Sequence, residues 1–289
     1  VPALAQLTGE QRLQWLRYLQ SHPLGVPRSW LESLSQENEA PVKQLALQLV
    51  RQKTTQSKPP ALHIRSFGTF VVYVAGRPVA EKSYRGVRNK MVFAYLCSSS
   101  KMIPEDRLRE TFWPEELERG KKGLYNAMFH LRKGLRPDGW SGDCDYLIRN
   151  QELVGLDTDL EPWHDLWEVE NTLSQVRQLS WTQLHADLTR ALSMMESPYL
   201  DGCYLDWAVE KRNQLEILLS NALHFACPLA ADNEAWESLT DWSQRLFGLE
   251  EDNQKVATWR IQGLYHCKGP EAAHRFANRF ARKLQYEYH

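Results

Sequence analysis

The sequence predicts an α+β region followed by an all-α region, with a short helical segment in front. A β-branched and aromatic run at 62–74 precedes three helical patterns and a hairpin pattern, which is typical of an α+β fold. From residue 158 onward, amphipathic stretches with short breaks indicate helices alone. Across the 289 residues, 43% are hydrophobic and 25% charged, as in globular proteins, and no apolar run approaches the roughly 20 residues that cross a membrane. We therefore expect a globular protein with no membrane partner.

The first 60 residues predict a helical segment and a linker. Leucines at helical spacing predict short helices at 4–20, 27–34 and 40–52. The polar stretch 53–60 ends in two prolines and interrupts any helix, so we interpret it as the linker. Because the chain does not begin with Met, we interpret residues 1–52 as the end of a larger upstream region.

Residues 61–157 have the element order of a winged helix-turn-helix with an N-terminal antiparallel sheet. The strand pattern turns at Gly76 and resumes, which predicts a short sheet. Helical patterns then occur at 86–99, 104–113 and 119–135. A hairpin pattern at 146–156 has its polar bend at Asn150 and Gln151. In such a fold the third helix enters the major groove of DNA.

Residues 158–289 predict paired helices. The helical stretches are 162–176, 181–195, 205–226, 232–247, 251–266 and 270–286. Paired helices of this length are typical of a helical-repeat solenoid of the tetratricopeptide kind. Seven of the eleven tryptophans lie in this region, either as core side chains or as the lining of a groove for a peptide or small ligand.

Charge is distributed unevenly along the chain. Residues 1–60 carry a net charge of +3, residues 61–157 carry +4 and residues 158–289 carry −8, although the whole chain carries only −1. A basic part suggests a surface for an anionic partner, and chance variation in surface charge explains the same numbers equally well.

Several ordered segments resemble the bacterial transcriptional activator domain regulators, including the antibiotic-regulatory type. The segments are LHIRSFGTFVVYVAGRPV, RNKMVFAYLCSSSKMIPEDRLRETFWP, KKGLYNAMFHLRKGL, LDTDLEPW, PYLDGCYLDWAVEKRNQL and LFGLEEDNQKVATWRIQGLYHCKGPEAAHRFANRFARKLQYEY. The resemblance implies an OmpR-like winged helix at 61–157 joined to a tetratricopeptide-like domain at 158–289. It also implies a transcription activator that binds promoter DNA, with the helical domain serving dimerisation, signal input or contact with RNA polymerase. The sequence departs from this family at Gly123, Tyr125 and Phe129, where a polar or basic residue is usual.

The third helix has one apolar and one polar face. At 100° per residue, its apolar stripe consists of Leu124, Ala127, Met128, Leu131 and Leu135. Cationic, amide and aromatic side chains on the opposite arc match the phosphates, base edges and thymine methyls of a major groove. The candidate DNA-binding residues on this helix are Lys122, Tyr125, Asn126, Phe129, His130, Arg132 and Lys133. A solvated basic helix face is the alternative.

Three further candidates lie outside this helix. Arg149 and Asn150 occupy the predicted hairpin tip, where an Arg can enter the minor groove, unless the tip is an ordinary exposed turn. Arg88 lies at the start of the first helix of the winged-helix pattern, where it either meets a phosphate or is simply solvated.

No enzymatic or metal-binding motif is present in the sequence. The five cysteines are far apart, which fits a reducing cytoplasm, and the nine histidines are scattered. We therefore predict a cytoplasmic protein with no catalytic residues, no metal and no cofactor. The alternative to a DNA-binding regulator is an interaction scaffold or signalling module whose winged helix contacts protein, a reading that Tyr125 and Phe129 keep open.

Overall fold

The computed structural model describes residues 9–21, 34, 40–55, 60–115, 117–136 and 145–287. Helix α1 (Gly9–Ser21) packs against α2 (Ala40–Thr55) around buried Leu16, Val42 and Ala46. Apart from Leu34, the helix predicted at 27–34 lies outside the described residues. The helix predicted to end at residue 52 continues to Thr55, into the segment 53–60 that we interpreted as a linker.

Strands of two small sheets and three helices follow. In chain order the elements are β1 (Leu62–Arg65), β2 (Val71–Val74), β3 (Arg77–Pro78), a 3-10 turn (Glu81–Tyr84), α3 (Val87–Cys97), β4 (Ile103–Pro104), α4 (Glu105–Phe112), α5 (Leu117–Leu135), β5 (Leu147–Asn150) and β6 (Leu153–Leu156). The three helices agree with the predicted ones within a few residues. Strand β6 pairs antiparallel with both β5 and β4, which attaches the hairpin to the start of α4.

The remaining elements are helical except for one short strand. Besides two 3-10 turns (Thr158–Leu160 and Val176–Gln178), they are β7 (Trp163–His164), α6 (Asp165–Gln175), α7 (Trp181–Met194), α8 (Asp206–Asp232), α9 (Trp236–Leu249), α10 (Gln254–Lys268) and α11 (Pro270–Glu287). From α8 onward, each helix packs against the next. Helix α8 passes through Pro228, where a break was expected, because its buried face of Ala222, Ala226 and Ala230 packs against the neighbouring helices. None of the described helices is long and apolar enough to cross a membrane.

Strand β7 joins the two halves of the chain. It pairs parallel with β1 and completes a four-stranded sheet of order β3-β2-β1-β7. The predicted helix at 162–176 was therefore wrong in its first three residues, because Trp163 and His164 pair with His63 and Ile64 in the sheet. One hydrophobic core runs from this sheet into the C-terminal helices, and the division at 157/158 stays a prediction.

A buried carboxylate holds this junction. Asp165, the first residue of α6, accepts hydrogen bonds from the backbone N–H groups of Ser66 (2.8 Å) and Phe67 (3.2 Å) and from the Ser66 hydroxyl (2.6 Å). It also accepts from the N–H of Leu166 at 2.8 Å. The carboxylate thus ties the end of β1 to the N-terminus of α6, where the helix dipole favours a negative charge.

His164 is buried beside this carboxylate. Its Nε2 lies 3.0 Å from the Ser66 hydroxyl. Burial lowers the pKa of His164 to about 4, against the opposing influence of the Asp165 charge. The three side chains are not arranged as a catalytic triad, because Ser66 donates directly to Asp165 and all three are buried away from solvent.

Candidate nucleic-acid interface

Helix α5 is held by the apolar stripe that its periodicity predicts. The five stripe residues, Leu124, Ala127, Met128, Leu131 and Leu135, are all buried. They pack against α3, α4 and the 3-10 turn. The opposite side of the helix therefore faces outward.

Two glycines allow α5 to approach its neighbours closely. A Cβ at position 123 would lie 2.6 Å from the indole Nε1 of Trp113, and a Cβ at position 134 would lie 2.5 Å from the carbonyl oxygen of Ser83. Both distances are shorter than a van der Waals contact. Gly123, which departs from the family pattern, therefore has a packing role here, since it gives room to the Trp113 ring.

The outward face of α5 carries most of the predicted contact residues. Lys122, Asn126 and Lys133 are exposed. The aromatic rings of Tyr125 and Phe129 are 67% and 55% exposed, which is unusual for side chains of this size. His130 is half-buried, and its ring meets that of Phe129 edge-on at 5.4 Å.

Two of the predicted arginines make contacts within the protein. Arg132 donates from Nε and Nη2 to the carbonyl oxygen of Leu147, at 3.2 and 3.0 Å, which links α5 to β5. Arg149 forms an ion pair with Glu105, the first residue of α4, with an Nη2–Oε2 distance of 3.0 Å. Because Glu105 is almost fully buried, this pair fixes the hairpin against α4. The helical periodicity of α5 could predict neither the Leu147 partner of Arg132 nor the Glu105 partner of Arg149, because both contacts join different elements.

The other two candidates are exposed. Asn150 ends β5, immediately before Gln151, whose φ of 56° makes the hairpin turn. Arg88 lies in the first turn of α3, and its guanidinium carbon is 5.9 Å from the centre of the Trp113 ring. The same tryptophan therefore contacts both α3 and α5.

A small cavity opens beside the exposed face of α5. It has a volume of about 160 Å³, and six of the residues that line it are Glu105, Lys121, Tyr125, Phe129, Arg132 and Arg149. Lys121 is exposed and contributes to this lining. Aromatic rings and cations thus lie together where α5 meets the hairpin.

No group of three or more His, Cys, Asp or Glu side chains that could hold a metal ion occurs in the part of the chain that the structure describes. Among those residues, Cys97, Cys203, Cys227 and Cys267 are free thiols.

Comparison with solved structures finds a distant similarity. No family model matches the sequence, and no curated protein matches it. Among solved structures, the chain is similar to Mycobacterium tuberculosis EmbR in complex with a low affinity phosphopeptide, at 17% sequence identity and a TM-score of 0.43. The match covers 78% of this chain and 66% of EmbR, slightly less than two thirds of its length. A similarity this low carries no argument about function.

Proposed function

We propose that this protein is a sequence-specific DNA-binding transcription regulator. In this proposal, α3, α4 and α5 with the β5–β6 hairpin form a winged helix-turn-helix, and α5 enters the major groove. The observation that carries it is the character of α5, which is anchored along one side and exposes cationic, amide and aromatic side chains on the other.

The spacing of the exposed residues suits a groove. Lys122 and Lys133 are eleven residues apart, which is close to three turns, so they lie on the same face about 16 Å apart along the axis. Two cations at that separation reach the phosphates on either side of a major groove about 12 Å wide. Asn126 and Phe129 lie between them on this face, positioned for an adenine edge and a thymine methyl.

The arginines take different roles in this proposal. Arg132 positions α5 against β5, because its guanidinium is bonded to the Leu147 carbonyl. Arg149 stabilises the hairpin through Glu105 and, being half exposed, still presents charge beside Asn150 at the wing. Arg88, at the start of α3, contacts a phosphate.

The helical half is proposed to control the DNA-binding half. Its net charge of −8 does not favour contact with DNA, which leaves dimerisation, signal input or contact with RNA polymerase. We assign the chain to the bacterial transcriptional activator domain kind on the sequence segments quoted above, with promoter DNA as its partner in the cytoplasm.

A protein-interaction module is the second candidate. The cavity beside α5 places Tyr125 and Phe129 next to Lys121, an arrangement that also fits a partner protein with an acidic, apolar segment. In that case α5 would bind no duplex.

Salt-dependent DNA binding separates the two candidates. Random duplexes enriched on the full chain provide the ligand, and fluorescence anisotropy measures affinity between about 50 and 200 mM salt. Lys122→Ala combined with Lys133→Ala should weaken binding to all sequences and reduce the slope of log affinity against log salt by about 2. The matched control combines Lys101→Ala with Lys268→Ala, two exposed lysines outside α5, and should leave the slope unchanged.

Two results would contradict the proposal. One is the absence of duplex binding by the natural sequence even at low salt, which favours the interaction module. The other is an equal loss of slope in both double variants, which would mean that the electrostatic contacts do not come from α5.

A further inference from the structure

We propose that a groove between the two halves of the chain binds a small organic anion with a planar apolar body. The groove lies between the α3–β4–α4 region and α8, has a volume of about 260 Å³, and contains no residue of α5 in its lining. Six of its lining residues are Tyr95, Ser99, Arg107, Trp207, Lys211 and Gln214. The site therefore differs from the proposed DNA-contacting surface, and binding at it does not depend on DNA.

One of the lining residues, Trp207, has an unused hydrogen-bond donor. The indole Nε1 of Trp207 is buried and has no hydrogen-bond partner among the described residues. Buried N–H groups in native proteins nearly always have a partner, and an acceptor atom of a ligand would provide one here. The Trp207 ring meets the Tyr95 ring edge-on at 5.0 Å, which gives the groove an aromatic wall against which a planar group can pack.

The charge of the groove favours an anion. Arg107 is exposed and has no ion-pair partner among the residues that the structure describes. Lys211 adds a second cation, held 3.0 Å from the carboxylate of Glu170. Because Lys211 is already paired with Glu170, and Glu210 is the one carboxylate in the lining, Arg107 is the lining cation that is left to bind an anion. Arg107 can bind a carboxylate or a phosphate through two parallel hydrogen bonds.

The size and location of the groove limit its ligand. Its volume is slightly below the range of sites for drug-sized molecules, which indicates a small ligand. Its walls come from both sides of the predicted 157/158 boundary, so a bound ligand contacts the sheet-containing half and the helical half together.

Binding can be observed directly at Trp207 in the full chain. With ¹⁵N-labelled tryptophan, each of the eleven indole N–H groups gives a signal, and Trp207→Phe identifies the one from the groove. Phenyl phosphate and 3-phenylpropionate are the probes, and benzyl alcohol is the uncharged control. We expect the Trp207 signal to shift saturably with at least one anion and not with benzyl alcohol. The anion that binds more tightly distinguishes a phosphate ligand from a carboxylate ligand.

Variants of two exposed arginines make the test specific. Arg107→Gln should weaken anion binding about tenfold, as expected for the loss of a charge-assisted pair. Arg282→Gln, on α11 and outside the groove, should leave it unchanged. The proposal is overturned if neither anion shifts the Trp207 signal up to about 10 mM, if benzyl alcohol shifts it equally, or if the two arginine variants behave alike.

Discussion

Replacing Gly134 by alanine tests whether close packing determines the placement of α5. A Cβ there would lie 2.5 Å from the Ser83 carbonyl oxygen, a backbone atom that cannot rotate away. Overpacking of this kind costs about 1–3 kcal/mol. Alanine is favoured over glycine inside a helix by up to about 1 kcal/mol, and by less at the penultimate position of α5. We therefore expect Gly134→Ala to lower the free energy of unfolding by about 1–2 kcal/mol.

Gly248→Ala is the matched control. Gly248 is also the penultimate residue of its helix, α9, and a Cβ there meets no described atom within 4 Å. This variant should be neutral or slightly stabilising. Equilibrium urea unfolding of both full-length variants, followed by circular dichroism, gives the comparison. If the urea midpoints of Gly134→Ala and Gly248→Ala coincide, α5 is not held against the 3-10 turn as described.

Three further predictions concern the proposed DNA contact and the buried junction. Replacing a contacted thymine by uracil removes one methyl group and should weaken DNA binding by the natural sequence about fourfold. The Phe129→Ala variant should bind the thymine and uracil duplexes equally well. If both proteins lose the same affinity on the uracil duplex, the Phe129 ring does not touch the methyl. Asp165→Ala leaves several buried donors without their acceptor and should cost at least about 3 kcal/mol in urea unfolding, so an unchanged midpoint would contradict the described hydrogen bonds. Because the pKa of His164 is lowered to about 4 in the folded protein, the unfolded chain takes up a proton at higher pH than the folded one. The free energy of unfolding should therefore fall as the pH drops from about 6.5 to about 4. The His164→Gln variant should lose less of its free energy of unfolding over the same pH range.

The helices and the buried face of α5 follow from local pattern. The period of 3.6 residues depends only on the sequence of one element, so Leu124, Leu131 and their neighbours could be identified as buried from the sequence. Strand β7 could not be identified this way, because two residues are too few to show an alternating pattern of buried and exposed side chains. They form a strand only by pairing with β1, about a hundred residues earlier.

The details of the candidate interface depend on contacts that sequence spacing does not reveal. Arg132 and Arg149 were predicted to contact DNA, and the structure gives each a partner within the protein, 15 and 44 residues away in the chain. Gly123 departs from the pattern of the family that the sequence resembles. Its packing role becomes visible only in the fold, because it depends on where the Trp113 ring lies. Glu105 lies in the first turn of α4, where the helix dipole favours an acid, but its pairing with Arg149 requires the folded hairpin.

The pairing of β7 with β1 has a consequence for how this architecture can be divided or transplanted. A fragment ending at residue 157 would leave the β1 backbone as an unpaired edge and the donors around Ser66 without Asp165. Open strand edges recruit other chains, so such a fragment should self-associate. A cut after Gln175, the end of α6, would retain both the strand and its carboxylate. The unit to use in domain swaps and chimeric proteins therefore extends past the predicted 157/158 boundary and includes α6.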